Sequence, residues 1–599
     1  MQGKIFTLGN NLIEQVIYFE DGIPYKNIVK NKASGMEWSF DDGQALFSFP
    51  GIDLKGSDVS FTENQVLIRG RNFVISWEFS VFDDLPVIES SIGIKGIWHD
   101  EDPLEKEFWG WNGMCKACGA GMGSVSNHVI LKTYSFRDRT DYTNYLLEEK
   151  MIPLTSWGRQ EYDGHILVLR EDISREEYMV VKNAPGAESC IGINGIHMPE
   201  LAKEEYMYSY PVAVGVCSQE QSTQLFRKYY EKTYPKKTAY IMSNTWGGGN
   251  GDSRVCEAFV LKEIEVAAQL GIDIVQIDDG WQEGITANSQ LQTGGVWTGG
   301  YRLSNPGFWE VNRSKFPHGL DGVVKAAADK NITIGLWFAP DSTNDYEAWE
   351  QDADVMLDFY EQYGIRYFKL DSIVVENRKC EENILRMLTR TRELSGGNIV
   401  FNMDITNGKR FGYLMHRSFG DLFVENRYTK YGTYYPHNTL RNLWDLSRFI
   451  PTGRLQMEVL DNQKHKENYS NVLAPSEYDI DYLFAIVMTA NPLMWMELSE
   501  LNEESKTKLS KIIEVYKKYR EDFIEVEPIL QRPSGFSRTG FRIHGRQQDY
   551  VLLFRELAET GEFNISVREI LATNDGHATK APVTLTREKT YLFGVVDRD

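Results

Sequence analysis

Residues 274–281, Ile274-Val-Gln-Ile-Asp-Asp-Gly-Trp281, join a short apolar strand to two carboxylates and a glycine turn. An amphipathic helical stretch precedes this segment, and the same succession of short strand and helix recurs from 238 to 523. Strands that alternate with such helices indicate βαβ units and a parallel sheet. Eight units of this kind predict a (β/α)8 TIM barrel. An open doubly wound sheet is the alternative, although no GxGxxG motif opens a helix here.

The eight predicted strands share short length, apolar character and a polar carboxyl end. They cover residues 239–246, 274–279, 332–338, 366–371, 398–404, 421–426, 454–460 and 492–498. The clearest amphipathic helices between them are expected at 253–269, 345–363, 380–394 and 438–449. In a barrel of this kind, all eight carboxyl ends meet at one rim.

Both flanks of the barrel have the pattern of β-structure. Residues 1–237 contain alternating runs such as Phe73-Val-Ile-Ser-Trp77 between turn signals, which predict a large antiparallel β-sandwich. Residues 524–599 contain four shorter runs, which predict a small C-terminal antiparallel β-sandwich. These runs cover 536–543, 550–554, 584–587 and 591–596. The expected domains are therefore 1–237, 238–523 for the catalytic barrel, and 524–599.

Composition excludes several classes of protein. The 64 basic and 86 acidic side chains give a net charge of −22, which disfavours binding to nucleic acid or a membrane surface. No apolar run is long enough for a transmembrane helix, and the first residues lack a secretory signal, so a cytoplasmic location is expected. Cys115, Cys118 and His128 are the one weak suggestion of a metal or redox site. Free thiols are the better interpretation, and we expect neither metal nor cofactor.

Nearly every predicted strand ends in a carboxylate or a tryptophan. These residues are Trp246, Asp278, Asp279, Trp281, Trp337, Asp341, Asp371, Asp404, Glu425, Glu458, Asp461, Trp495 and Glu497. One such aspartate can be a helix cap, as we expect for Asp341 and Asp345, but capping does not explain the recurrence. Carboxylates accept hydrogen bonds from sugar hydroxyls, and an indole covers the apolar face of a pyranose. The rim therefore predicts a carbohydrate site, with Trp246 among its substrate-binding residues.

Glycoside hydrolysis requires two carboxyl groups, which lie about 5–5.5 Å apart in retaining enzymes. From the residues alone, the pair can be drawn from several strand ends. The candidates are Asp278, Asp279, Asp371, Asp404, Glu425 and Glu458.

Two segments sharpen this expectation. Ile277-Asp-Asp-Gly-Trp-Gln282 and Phe368-Lys-Leu-Asp371 resemble elements of the α-galactosidase clan, closest to glycoside hydrolase family 36, which is melibiase-type with raffinose-synthase-like relatives. The resemblance covers roughly the barrel, and it implies an N-terminal β-supersandwich and a small C-terminal β-domain. It also implies a retaining, exo-acting α-glycosidase without cofactor that takes an oligosaccharide or glycoside. Relatives of this type are often dimers or tetramers, so a homo-oligomer is compatible with the resemblance.

The resemblance also implies roles for individual residues. Asp371 is similar to the nucleophile, and Lys369 would contact sugar hydroxyls and help to keep Asp371 ionised. Asp278 and Asp279 would bind the hydroxyls at C4 and C6. Trp281 and Trp337 would line the pocket for the terminal sugar.

The chain departs from the family pattern at two strand ends. In Leu422-Phe-Val-Glu-Asn426, Glu425 occupies the position of the acid/base aspartate, and Asp404 or Glu458 is the alternative acid. Around the expected 2-hydroxyl, Asp404 and Asn407 stand where the family has Cys and Gly, while Arg410 is retained. These departures suggest a divergent branch that acts on an α-galactoside, an α-N-acetylgalactosaminide or a β-L-arabinopyranoside.

Three other functions remain open at this stage. A transglycosylase of the raffinose-synthase kind would share the first half-reaction. A Schiff-base lyase or isomerase would use Lys369. A sugar-binding protein without activity would keep the same carboxylates.

Overall fold

The computed structural model of the chain describes most of its residues. The described residues are 3–35, 37–41, 45–47, 52–96, 110–111, 130–136, 147–153, 165–170, 180–182, 190–194, 206–208, 212–217, 222–232, 239–374, 378–406, 419–448 and 450–598. Two compact units are present, and in the described chain they divide between Lys232 and residue 239.

The described part of the first unit is all-β apart from one helix, α1, at Ser222–Lys232. Its strands are β1 Lys4–Gly9, β2 Ile13–Glu20, β3 Ile23–Asn31, β4 Glu37–Asp41, β5 Asp58–Phe61, β6 Gln65–Arg69, β7 Phe73–Val81, β8 Val87–Gly96, β9 Gly110–Trp111, β10 Ile130–Phe136, β11 Leu147–Pro153, β12 His165–Arg170, β13 Val180–Lys182, β14 Cys190–Asn194, β15 Met207–Tyr208 and β16 Val212–Cys217. They form sheets of four, nine and three strands. Residues on alternate positions of β2 are buried, which is the pattern of a sheet with one face on a core.

The second unit contains the closed eight-stranded barrel that the sequence predicts. Its strands are β17 Met242–Asn244, β18 Ile274–Ile277, β19 Thr333–Phe338, β20 Tyr367–Leu370, β21 Val400–Asp404, β22 Gly420–Phe423, β23 Leu455–Val459 and β24 Asn491–Met494. Neighbouring strands are parallel throughout, and β17 pairs with β24 to close the barrel. Most strands end earlier than expected because their last polar residues leave the ladder and enter the rim.

Helices separate most of these strands. They are α2 Glu257–Leu270, α3 Tyr301–Ser304, α4 Asp321–Ala328, α5 Trp349–Tyr363, α6 Arg378–Leu394, α7 Pro436–Ser447, α8 Ile480–Val487 and α9 Glu503–Tyr519. The expectation that Asp341 and Asp345 cap the helix after β19 is wrong. Helix α5 begins at Trp349 after Ala348, which makes no side-chain cap, and Asp341 binds a different loop.

The interior of the barrel carries a chain of polar side chains where branched apolar residues are usual. Asn244 donates to Gln276 at 2.9 Å, and Gln276 donates to Asn402 at 3.0 Å. Asn402 and Asp421 both bond to the hydroxyl of Tyr240 at 2.9 Å. Because buried polar groups are costly unless they are bonded to each other, this chain ties four strand regions together and supports the rim above it.

The C-terminal region is all-β, as expected. One antiparallel sheet runs in the order β25-β26-β27-β29-β28, with β25 Phe523–Leu530, β26 Arg538–Gly545, β27 Asp549–Arg555, β28 Glu569–Thr573 and β29 Thr590–Val596. The expected strand at 584–587 is absent from this described region. Thr586 instead bonds to Asp575 through its backbone N–H and its hydroxyl. The segment makes only the single bridge between Glu562 and Thr584.

None of the described helices combines the length and the apolar character that a membrane span requires. The division into 1–237, 238–523 and 524–599 stays a prediction.

Candidate functional site

The carboxyl ends of the barrel strands surround one buried cation, Lys369 of β20. Its Nζ atom donates to Oδ2 of Asp278 at 3.0 Å and lies 3.8 Å from Oδ2 of Asp371. Burial lowers the pKa of Lys369, but the carboxylates of Asp278, Asp371 and Asp404 outweigh burial and leave the pKa above its ordinary value. Lys369 is therefore a buried ammonium that gathers three strand-end carboxylates.

Aromatic rings cover this ammonium on another side. Nζ lies 4.9 Å from the ring centroid of Trp495 and 5.3 Å from that of Phe423. The faces of aromatic rings attract cations. Trp495, one of the strand-end tryptophans, thus lies beside the carboxylates as expected, although it is itself buried.

Asp371 follows β20 and presents the most open of the three carboxylates around Lys369. Its side chain is 13% exposed, against 2% for Asp278. The indole N–H of Trp337 donates to Oδ2 at 3.2 Å, and the backbone N–H of Ser372 donates to Oδ1 at 2.6 Å. These two donors orient the carboxylate and, with Lys369, compensate its negative charge.

Asp278 and Asp279 are adjacent in sequence but serve different surroundings. Asp278 accepts from Lys369 and, at 2.7 Å, from Asn244, so it connects the cation to the polar interior of the barrel. Asp279 accepts from Gln282 at 2.7 Å and from the hydroxyl of Thr286. Burial raises the pKa of Asp279 to about 7 despite these bonds. The structure therefore brings Asp278 to the centre and directs Asp279 into the loop that follows β18.

Asp404 ends β21 and is buried beside the same cation. Its Oδ1 atom accepts from the backbone N–H of Thr406 at 2.9 Å and from the Thr406 hydroxyl at 2.6 Å. It contributes to the raised pKa of Lys369. Asn407 and Arg410, the other residues expected near the 2-hydroxyl, lie outside the described residues, as do Cys115, Cys118 and His128.

The two tryptophans expected to line the pocket occupy different places. Trp337 bonds to Asp371 and so belongs to the centre. Trp281 is fully buried, packs edge-on to Phe359 at 5.0 Å, and donates its indole N–H to the carbonyl oxygen of Trp337 at 2.9 Å. Trp281 thus supports Trp337 from behind and shows no surface to a ligand.

Trp246 follows β17 and is half-buried at the rim. Tyr428, a residue that the strand-end pattern did not include, lies near it and packs against Trp495 with ring centroids 6.1 Å apart. Burial and the charges of Asp278 and Glu458 raise the pKa of Tyr428 well above its ordinary value, so its phenol keeps its proton. Trp246 and Tyr428 thereby add a half-buried aromatic pair to this part of the rim.

Glu425, expected as the acid/base, is fully buried and bound to other side chains. Arg427 makes an ion pair with Glu425 and also bonds to Glu458 through Nε at 2.9 Å. Asn442 of α7 donates to Glu425 at 2.8 Å. Burial and the charge of Glu425 raise the pKa of Glu458 to about 8, against the opposing effect of Arg427. The alternative acid Glu458 therefore shares one buried cluster with Glu425.

Other carboxylates of the rim hold loops in place. Asp252 accepts from the Ser289 hydroxyl at 2.7 Å and from the backbone N–H of Gln290 at 2.6 Å. Glu497 accepts from Asn250 at 2.8 Å and from Arg254 at 2.6 Å. The carboxylate-rich rim thus divides into a group around Lys369 and a set of structural anchors.

The structure also brings Trp297 to the site, a residue that the sequence reasoning missed. Its ring stacks on that of Trp337, with centroids 6.3 Å apart and an interplanar angle of 18°. Trp297 lies in the 278–320 segment between β18 and α4, far longer than the two to six residues usual for such connections. That length was the available signal, because long loops of this kind are commonly functional.

Comparisons with known proteins agree with this architecture. Residues 206–389 match the Melibiase family. The α-galactosidase AgaA of Geobacillus stearothermophilus is 28% identical over 163 residues, which are 26% of this chain and 20% of that protein. The α-galactosidase 2 of Pediococcus pentosaceus is 28% identical over 145 residues, which are 24% of this chain and 18% of that protein. The matched stretches are thus a small part of the length of these relatives.

Solved structures extend the likeness to the whole chain at the level of fold. The crystal structure of the family 36 α-galactosidase AgaA covers 99% of this chain and 100% of its own, with a TM-score of 0.64 and 13% identity. A variant of AgaA from the same organism in complex with raffinose gives a TM-score of 0.65 at 12% identity, with the same coverage. The expected resemblance to the α-galactosidase clan, and the barrel between all-β flanks, are confirmed.

Proposed function

We propose that this chain is a retaining, exo-acting α-glycosidase that removes terminal α-galactoside-type sugars, α-galactose or α-N-acetylgalactosamine, from glycosides. The observation that carries the proposal is the position of Asp371. Its carboxylate is oriented at the strand-end rim by Trp337 and Ser372 and lies next to the buried Lys369. The Melibiase match and the raffinose complex of a protein with the same fold support the substrate class.

In this proposal Asp371 is the nucleophile. One of its oxygens attacks the anomeric carbon while the bond from that carbon to the leaving oxygen breaks, which forms a covalent glycosyl–enzyme intermediate. The leaving oxygen takes a proton from the acid/base residue. A water molecule, which gives a proton back to that residue, then attacks the same carbon and releases Asp371. A nucleophile must be ionised and aimed, and the two donors and the neighbouring ammonium provide both conditions.

Lys369 and Asp278 would bind the hydroxyls of the terminal sugar. The ammonium can donate to a sugar oxygen while it keeps its bond to Asp278, and Asp278 is fixed from behind by Asn244. Because these groups are already held in place, little free energy is spent on rearranging them when the substrate binds.

For the proton donor, position favours Asp404 over Glu425, although both carboxylates are buried. Asp404 lies on the strand next to that of Asp371 and acts on the same Lys369. The Glu425 side chain has no exposed surface and is paired with Arg427, so it could reach a leaving oxygen only after that ion pair opened. We therefore propose Asp404 as the acid/base and Glu425 as part of the buried support.

A panel of activated aryl α-glycosides of galactose, N-acetylgalactosamine, glucose and L-arabinopyranose tests the proposal. We expect hydrolysis of one of the first two, and proton NMR of the first product should show the α-anomer, because two displacements retain configuration. Release of the β-anomer, or binding without turnover across the panel, would contradict it. A sugar acceptor in the same assay distinguishes transfer from hydrolysis.

Asp371→Ala tests the nucleophile directly. The variant should lose nearly all activity, and added azide should restore turnover with a β-glycosyl azide as product, since azide then attacks in place of the carboxylate. Asp329→Asn is a matched control, because Asp329 is an exposed carboxylate paired with Lys325. Near-full activity of Asp371→Ala would refute the assignment.

A further inference from the structure

Trp297, whose ring stacks on that of Trp337, lies in a loop whose backbone is hydrogen-bonded on both sides of it. Val296, before Trp297, donates to the carbonyl of Ile285 at 3.1 Å, and its own carbonyl accepts from Ala287 at 3.0 Å. Thr298, after it, donates to the Ser372 hydroxyl at 3.1 Å, and its carbonyl accepts from Ser342 at 2.8 Å. The backbone is therefore fixed on both sides of the indole.

The bond between Thr298 and Ser372 joins two strained positions. The φ angles are +68° at Thr298 and +61° at Ser372, in the left-handed region that residues other than glycine rarely adopt. Ser372 directly follows Asp371 and donates its N–H to that carboxylate. Strain of this kind persists where the surroundings impose it and is typical of functional sites. The loop carrying Trp297 is thus tied to the segment that orients Asp371.

A buried carboxylate at the end of β19 provides the second attachment. Asp341 accepts from the backbone N–H groups of Gly300 at 2.9 Å and Tyr301 at 3.0 Å. The turn is closely packed, because a Cβ atom at Gly299 would lie 2.8 Å from Oγ of Ser342 and 3.1 Å from the backbone nitrogen of Thr343. Burial raises the pKa of Asp341, but bonds from Thr343 and Gly300 outweigh burial, and the pKa is lowered. The carboxylate that holds the turn after Trp297 is therefore ionised at neutral pH.

Trp297 remains partly open despite these attachments. Its indole is half-buried although one face lies on Trp337, which is itself fully buried. Trp337 contacts both partners, Asp371 through its indole N–H and Trp297 through its ring. The open surface of Trp297 therefore neighbours the site, and a sugar ring on that surface would adjoin the sugar whose anomeric carbon meets Asp371.

We propose that Trp297 is a specificity-determining residue that stacks on the leaving-group sugar, with Asp341 as the residue that positions its loop. The inference rests on the proposed function and deepens it, because it assigns a residue of this chain to the leaving group. The apolar C–H face of a sugar fits an indole surface, whereas a small leaving group makes no such contact.

Two substrates that differ only in the leaving group test whether Trp297 contacts that group or only supports the fold. Raffinose has a sugar leaving group, and α-galactosyl fluoride has the same terminal sugar without one. Trp297→Ala should lower kcat/KM for raffinose about tenfold, mainly through KM, and change that for the fluoride by less than about twofold. Trp297→Phe should recover part of the loss. Trp444→Phe is the matched control, since Trp444 is a half-buried indole on α7 that bonds to the carbonyl of Ile529.

Asp341→Asn should also lower kcat/KM for raffinose more than for the fluoride, but by a smaller factor than Trp297→Ala. The asparagine amide has an NH2 group in place of one carboxylate oxygen, and this group cannot accept the backbone N–H bonds that hold the loop. Equal losses of kcat/KM on both substrates in Trp297→Ala would show that Trp297 only shields Trp337. Unchanged kcat/KM on both substrates would show that Trp297 has no role. Either result overturns the inference. Wild-type protein inactive toward both the fluoride and an activated aryl α-N-acetylgalactosaminide would instead refute the proposed function, so the two failures can be told apart. Activity on the N-acetylgalactosaminide alone would move the comparison to an oligosaccharide and a fluoride of that sugar.

Discussion

Lys369 and Asp278 form a buried ion pair, with Nζ 3.0 Å from Oδ2, at the point where two barrel strands end. The two side chains are 6% and 2% exposed, so water could not replace either partner if the other were removed. Such a pair is costly to break, because removing one member leaves a buried charge without compensation.

The first prediction concerns stability at this pair. Lys369→Met should lower the free energy of unfolding by about 3–5 kcal/mol, because three carboxylates then face one another without the cation. Urea unfolding measures the change. Asp278→Asn added to Lys369→Met should recover part of it by removing one negative charge. Lys325→Met, which breaks an exposed pair with Asp329, should cost less than about 1 kcal/mol. Equal losses in both variants would contradict the buried pair.

The second prediction distinguishes the two proposed acids. With a poor leaving group, Asp404→Asn should lower kcat by about 100-fold or more, and with an activated aryl or fluoride leaving group by much less, because only poor leaving groups need the proton. Glu425→Gln should affect both substrates alike, since it disturbs the buried support. The reverse pattern, with azide rescue of a Glu425 variant, would return the acid/base role to Glu425.

The third prediction concerns pH and Glu458. Its pKa is raised to about 8 in the folded chain against an ordinary value of 4.5, so the folded state holds a proton that the unfolded state releases. This contribution to stability is fully present below pH 4.5 and is lost as the pH rises to about 8. Glu458→Gln keeps a neutral side chain at every pH and should flatten the decline.

Unfolding free energies at several pH values between 4.5 and 8 check this, with Glu467→Gln as the exposed control. The slope removed by Glu458→Gln should approach about 1.4 kcal/mol per pH unit at most, the value for one proton. Asp279 and Asp352 have raised pKa values of the same sign, so a smaller decline should remain in the variant. An unchanged slope would show that Glu458 is ionised throughout.

The fourth prediction concerns Trp281. Trp281→Phe removes the bond to the Trp337 carbonyl and some buried surface, and should cost about 1–3 kcal/mol of stability. Because Trp281 has no exposed surface, KM for an aryl α-glycoside should change by less than about twofold once the fold is intact. A raised KM at unchanged stability would place Trp281 in the pocket after all.

Much of the barrel could be predicted because its determinants are local. Apolar runs such as Ile274–Ile277 followed by amphipathic helices specify strands and helices through side-chain periodicity alone. The predicted carboxyl ends of the strands were too late where a polar residue leaves the hydrogen-bonded ladder, because the sequence does not show where the ladder stops. The strand Phe523–Leu530 was missed because its burial alternates too weakly to mark it as a sheet.

The partners of each rim carboxylate could not be predicted in the same way. Asp278 and Asp279 share one sequence context, yet one faces Lys369, 91 positions away in sequence, and the other faces Thr286. Side chains of successive residues near a strand end point in different directions, and their partners come from distant segments. Glu425 forms an ion pair with Arg427, which lies only two positions later in the sequence. Glu458, which completes the cluster, lies on the next strand.

The sequence by itself determined a carboxylate- and tryptophan-rich rim on a (β/α)8 barrel, because periodicity and strand-end composition are properties of short segments. Only the tertiary structure decided which of those groups converge on Lys369, which hold loops, and which are buried in support of others. The physical reason is that burial and charge compensation depend on what the other strands and loops place within a few ångströms, and that is set by closure of the barrel.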